Sequence, residues 1–268
     1  MYPNREVFPN PPLALVTAEL RFTDSPRLRL EDTLTELAIA LEERFPLTER
    51  HSDVNVNQAP NAAPRIDHRL VLINEGRTES LSITPSSLSY ETTAYGEFGD
   101  LLSGVAAGCK ALLDQRVRAA LTRVGLRYID EIRVPEPVED VRDWSKWVNA
   151  GLVGALSVGP EGTPVDHTQG LAIFDLGSGK KFNLQYAALK QGQAVDPPFL
   201  RRRHAVAEPQ PLFVLDFDGY YEFGRETAAR LDSDIVERIL GEIHVPSGAS
   251  FQRAITDEAR QLFRGECK

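Results

Sequence analysis

Apolar residues along the chain follow two rhythms. In residues 13–22, Val16, Ala18, Leu20 and Phe22 recur at every second position, the period of a half-buried strand. Thr23-Asp24-Ser25-Pro26 breaks that run. Leu34, Leu37, Ala38, Leu41 and Phe45 then return every three or four residues, which predicts a helix stopped by Pro46. Residues 47–64 hold three Asn, two Pro and a Gln without a period and read as a surface loop. Alternation resumes at Leu70, Leu72, Leu81 and Ile83, with Asn74-Glu75-Gly76-Arg77 as a hairpin turn between them. Residues 88–95 form another short strand. Phe98, Leu101, Leu102, Val105, Cys109, Leu112 and Leu113 mark a long amphipathic helix. Residues 119–134 are the most strand-like run, closed by Pro135-Glu136-Pro137. The first half therefore reads β-α-β-β-β-α-β.

The second half is predicted to open with short helices around Trp144, Trp147 and Val153, followed by a Gly/Pro turn at residues 159–164. Residues 171–176 and 181–189 make a hairpin around Gly177-Ser178-Gly179. A basic, proline-flanked loop spans 197–211, and 212–223 is a strand. Helices at 227–243 and 250–263 close the chain. Hairpins outnumber helical crossovers. The expected fold is therefore α+β, a mainly antiparallel sheet with long helices on one face, in a single domain over residues 1–268. The stretch 135–170 is where two similar β/α halves would divide.

Composition narrows the function classes. The chain has 268 residues, 42% of them hydrophobic and 26% charged, enough to bury a core without disulfides. Its 30 Lys and Arg against 39 Asp and Glu give −9, which disfavours a general nucleic-acid binder. The two cysteines, Cys109 and Cys267, are too few for a disulfide framework and read as reduced thiols. The polar start lacks an apolar core segment, and no run approaches eighteen apolar residues, so neither a signal peptide nor a membrane span is expected. The expected location is the cytoplasm.

Candidate chemistry is sparse. Leu212-Phe213-Val214-Leu215-Asp216-Phe217-Asp218-Gly219 resembles the first motif of haloacid-dehalogenase-like phosphatases, but the fifty residues after it leave no room for that family's remaining motifs. Gly177-Ser178-Gly179-Lys180-Lys181 lacks the spacing of a phosphate-binding loop. The histidines His51, His68, His167, His204 and His244 are scattered; His167 beside Asp166 is the best general-base candidate among them. Neither a metal nor a cofactor is expected.

The richest stretch is Arg123-Val124-Gly125-Leu126-Arg127-Tyr128-Ile129-Asp130. On a strand, Arg123, Gly125 and Arg127 share a face, and two guanidiniums flanking a glycine leave space suited to an anion or an acidic segment. The competing expectation is cross-strand pairing with Glu91, Asp216 or Asp218. Trp144 and Trp147 are candidate protein contacts, as is the run Arg201, Arg202, Arg203 and His204, since Trp and Arg anchor interfaces. Within an acidic chain that basic run favours protein contact over nucleic acid.

Several segments together resemble a bacterial family described as sporadically distributed. They are Leu88-Ser89-Tyr90-Glu91-Thr92-Thr93-Ala94-Tyr95, Arg123-Val124-Gly125-Leu126-Arg127-Tyr128-Ile129, Asp143-Trp144-Ser145 with Asn149-Ala150-Gly151-Leu152-Val153-Gly154, Leu215-Asp216-Phe217-Asp218, and Ala254-Ile255-Thr256-Asp257-Glu258. The resemblance runs through nearly the whole chain and brings no established activity, cofactor or catalytic residue. Val245-Pro246-Ser247-Gly248 departs from it by interrupting a helix. Patchy occurrence implies an accessory role of the immunity, antitoxin or phage-defence kind. The resulting expectation is a non-enzymatic, cytoplasmic protein-binding component with a partner protein of basic character; self-association is compatible with it. The alternative is an enzyme or binder for a small anionic ligand using Arg123 and Arg127 with the nearby carboxylates.

Overall fold

A computed structural model describes residues 6–55, 65–203, 210–224 and 227–266. In chain order the elements are β1 (Leu13–Phe22), α1 (Glu31–Leu41), β2 (Leu47–Asn55), β3 (Arg65–Ile73), β4 (Glu79–Thr84) and β5 (Ser87–Thr92). Then come α2 (Phe98–Asp114), β6 (Ala120–Ile132), β7 (Thr168–Gly177), β8 (Lys180–Leu189), β9 (Leu212–Glu222), β10 (Ala229–Arg230), α3 (Ser233–Ala254) and α4 (Asp257–Arg264). Short 3-10 turns fill the connection between β6 and β7.

The fold is α+β: among the described residues, ten strands form one sheet of order β2-β3-β4-β5-β1-β6-β9-β8-β7, with β10 paired at the end of β6. Every pairing among them is antiparallel. The two strand sets meet where β1 pairs with β6. They meet there because both strands alternate cleanly: Val16, Ala18 and Leu20 lie opposite Tyr128, Leu126 and Val124, and all six are buried.

Two glycines set how closely helices approach this face. At Gly104 of α2, a Cβ would lie 2.3 Å from the buried Tyr90 ring, so only glycine lets α2 sit on β5. At Gly219 of β9, a Cβ would meet Ile243 of α3 at 3.2 Å. The opposite face carries a smaller apolar cluster at one end. There Leu15, Val71, Ile73, Ile129, Leu212 and Val214 are covered by Val195 and Leu200 from the connection between β8 and β9.

Three expectations are corrected. Residues 47–55 are a strand, β2, and not loop, in register from Leu47 opposite Ile73 to Asn55 opposite Arg65. Backbone pairing to β3 holds it although its own side chains carry no apolar alternation; residues 56–64 lie outside the described residues. The helix break at Val245 to Gly248 is absent, since α3 runs through Pro246 to Ala254. Proline costs α3 one backbone donor. Buried Val236, Ile239, Leu240 and Ile243 offset that loss, and Ser247 Oγ donates to the Ile243 carbonyl at 3.1 Å.

Trp144 and Trp147 are core residues, 1% and 4% exposed, and neither is a surface anchor. A capping box between Asp140 and Asp143 fixes the 3-10 turn that turns Trp144 inward, onto the Phe213 ring at 5.5 Å.

Candidate functional site

β6 and β9 lie side by side in the middle of the sheet, which brings Arg123, Arg127, Asp216 and Asp218 onto one face. The Arg127 guanidinium grips Asp216 with two parallel bonds, Nε to Oδ1 at 2.8 Å and a terminal nitrogen to Oδ2 at 2.5 Å. Arg123 donates to Asp218 Oδ2 at 3.1 Å and to Glu19 Oε2 at 3.3 Å. Its guanidinium lies 4.3 Å from the Tyr220 ring centroid, in the space that Gly125 leaves above the sheet. Arg123 therefore fills the gap above Gly125, and the arginines make the cross-strand pairs with Asp218 and Asp216 that competed with an anion site. Glu91 lies across one intervening strand from Arg127 in the same cross-strand row, with Thr17 between them, and accepts from the Thr17 hydroxyl at 3.4 Å.

The electrostatics follow from burial and pairing. Burial raises the Asp218 carboxyl, and the two arginines only partly oppose it. Burial likewise raises Glu91 against its Thr17 bond and the Arg69 charge. The bond to Asp216 holds Arg127 above its usual range. An anion at Arg123 would have to displace Asp218 or Glu19 from its pairs. The cluster is an ion-pair network, largely buried at Arg123 and about half-exposed at Arg127.

The basic loop divides. Arg202 turns inward to the Glu131 carboxylate and the Val195 carbonyl, with its side chain 20% exposed, so it is a strut and not a free contact. Glu131 also accepts from Arg133 at 2.9 Å and from the Ala194 and Val195 amides at 2.7 and 3.0 Å. Burial works to raise its carboxyl, but these bonds and the Arg202 charge outweigh it and hold it below the usual range. Arg201 is exposed, its carbonyl accepting from Thr93 Oγ1 at 2.7 Å. Arg203 is exposed too, and His204 lies outside the described residues.

The other candidates come apart. His167 Nδ1 donates to the Ala188 carbonyl at 3.0 Å, while Asp166 pairs with Lys190, so the two form no dyad. Cys109 is buried, and burial with the Asp232 charge pushes its thiol up to about 12; Cys267 lies outside the described residues. Among the described residues, no group of three His, Cys, Asp or Glu side chains is placed to hold a metal ion. No helix there is long and apolar enough to cross a membrane.

Two features escaped the sequence reading. The first is the sheet's β7 edge. Leu171 and Ile173 are 59% and 63% exposed on one face, and Phe174 and Leu176 are 46% and 40% exposed. Apolar residues out of phase with one another in a hairpin strand were the available signal.

The second is a cavity of about 230 Å³ between β6, α3 and the lead-in to β1. Asp130 lines it and is 4% exposed. No described residue donates a hydrogen bond to its carboxyl. On the same lining, Tyr128 Oη and His244 Nδ1 are hydrogen-bonded at 2.8 Å, and Phe98 stacks on His244 at 4.1 Å. The signal for Asp130 was its position: it continues the buried phase of Val124, Leu126 and Tyr128, where an acid is out of place. The sequence matches no protein-family model, and no curated protein is significantly similar to it.

Proposed function

We propose that this chain is a protein-binding component whose β7 edge accepts an extended segment of a partner protein. The carrying observation is β7 itself. It is ten residues long with Asp175 its one charge, and among the described residues it pairs with β8 on one side and no strand on the other. Edge strands usually carry charges, bulges or covers that prevent such pairing. The opposite edge, β2, does so with Glu49, Arg50 and His51, and Arg50 is paired to Glu31. Unprotected β7 backbone offers a ladder of hydrogen bonds, and exposed Leu171 and Ile173 offer apolar surface on which alternate partner side chains can pack.

A charge of −9 favours a partner of basic character. An immunity, antitoxin or adaptor role fits such an interface, and membership of the sporadically distributed bacterial family is part of the same proposal. The test is purification of the chain from its native host, beside a variant carrying both Leu171→Lys and Ile173→Lys. These side chains are exposed, so the variant should melt like the wild type to within about 0.5 kcal/mol. The reading predicts a stoichiometric partner on the wild type that is lost from the variant. Equal recovery on both, or a self-paired dimer in place of a partner, overturns it.

A further inference from the structure

The Asp130 cavity has no part in the edge-strand interface. Its volume, about 230 Å³, exceeds the roughly 150 Å³ that accommodates benzene and falls short of the roughly 300 Å³ where drug-sized pockets begin. One or two fused rings fit that size. Two aromatic groups line it. Phe8, Phe217 and Phe251 form one, with Phe251 at 6.4 Å from each of the other two rings. Tyr95 and Tyr128, edge to face at 5.7 Å, belong to the other. Flat walls of this kind favour a flat guest.

Asp130 sets the polar requirement. A buried carboxyl without a partner costs free energy until something bonds it. A carboxyl group presents a donor and an acceptor side by side. Its complement is a ring nitrogen beside an exocyclic amino group, as on adenine or cytosine. With such a neutral ring two hydrogen bonds form while Asp130 keeps its proton and the cavity its net charge. A bare ammonium ligand would instead require the Asp130 proton to leave for solvent.

We propose that the cavity binds a planar aminated nitrogen heterocycle of nucleobase size, stacked among the aromatic walls with its amino–ring-nitrogen edge on Asp130.

Titration calorimetry on the full chain tests this with 9-methyladenine and 1-methylcytosine as probes. Saturable one-to-one binding is expected, tighter than about 1 mM. The dimethylamino counterparts of both probes keep the rings and lose the donor, and should bind at least about tenfold more weakly. That comparison needs no variant. Asp130→Asn keeps a donor beside an acceptor and should hold the affinity within about threefold, whereas Asp130→Leu should lose at least about tenfold. Adenosine monophosphate assigns the source: tighter, salt-sensitive binding supports a nucleotide's base, and weaker binding supports a free heterocycle. Absence of heat with both bases, equal binding of the dimethylamino compounds, or binding of tetramethylammonium alone would overturn the proposal.

Discussion

Asparagine at position 130 keeps the shape of the side chain and removes its ionisable proton. In the folded chain, burial and then the Asp216 charge push the Asp130 carboxyl from 3.8 up to about 8. An unfolded chain titrates this group near 3.9, so between about pH 4 and pH 8 the folded state holds a proton that the unfolded state has released. The sign follows from that difference: stability is unpenalised below the unfolded value and falls as pH rises towards the folded one. A gap of about four pH units at about 1.36 kcal/mol each sets a ceiling of about 5.5 kcal/mol. Relaxation and water entering the cavity should reduce the loss to about 2–3 kcal/mol. His244, Arg203 and Glu6 line the same cavity, and subtracting the Asp130→Asn profile removes their shared contribution. Urea unfolding from pH 5 to pH 8.5 is the assay. The variant should gain on the wild type by about 2–3 kcal/mol across that range. Profiles that run parallel would refute the buried, unpartnered carboxyl.

Three further outcomes are expected. Gly104→Ala should cost about 2–3 kcal/mol because its methyl group meets the Tyr90 ring, and adding Tyr90→Val should cost less than the sum of the two changes in thermal melts. Arg202→Met should destabilise by about 2 kcal/mol and open residues 190–203 to limited proteolysis, since Glu131 keeps only Arg133 as an ionic partner. Because the Glu131 carboxyl is held low, that cost is present above about pH 4.5 and fades as pH falls through the lowered value, which acid unfolding would show. Cys109 should react with a disulfide reagent at least about a hundredfold more slowly in the native chain than in urea, as peptide mapping would reveal.

Local pattern carried much of the fold. β1, α2 and β6 announce themselves because the residues each buries in the main core recur at its own period. β2 does not, because what holds it is the backbone of β3, a partner that no window of sequence contains. α3 crosses Pro246 because packing on β9 outweighs one lost hydrogen bond, a comparison of energies that composition cannot make. The same limit governed the candidate site. Arg123 and Arg127 were legible as a same-face pair, and so were their acidic neighbours on β9. That Arg123 folds over Gly125 onto Tyr220 is a rotamer outcome, invisible before the strands are paired. Trp144 and Trp147 show the converse: their residue type suggested an interface, while the Asp140 cap turned Trp144 inward and both indoles are buried.

Hydrogen–deuterium exchange on the partner-bound chain tests the edge-strand reading most directly, since an added strand must bond the free β7 amides. The β7 amides should slow by at least about tenfold on complex formation while those of β2 keep their rates. An intact complex in which β7 exchanges as in the free chain, with protection elsewhere, would contradict it.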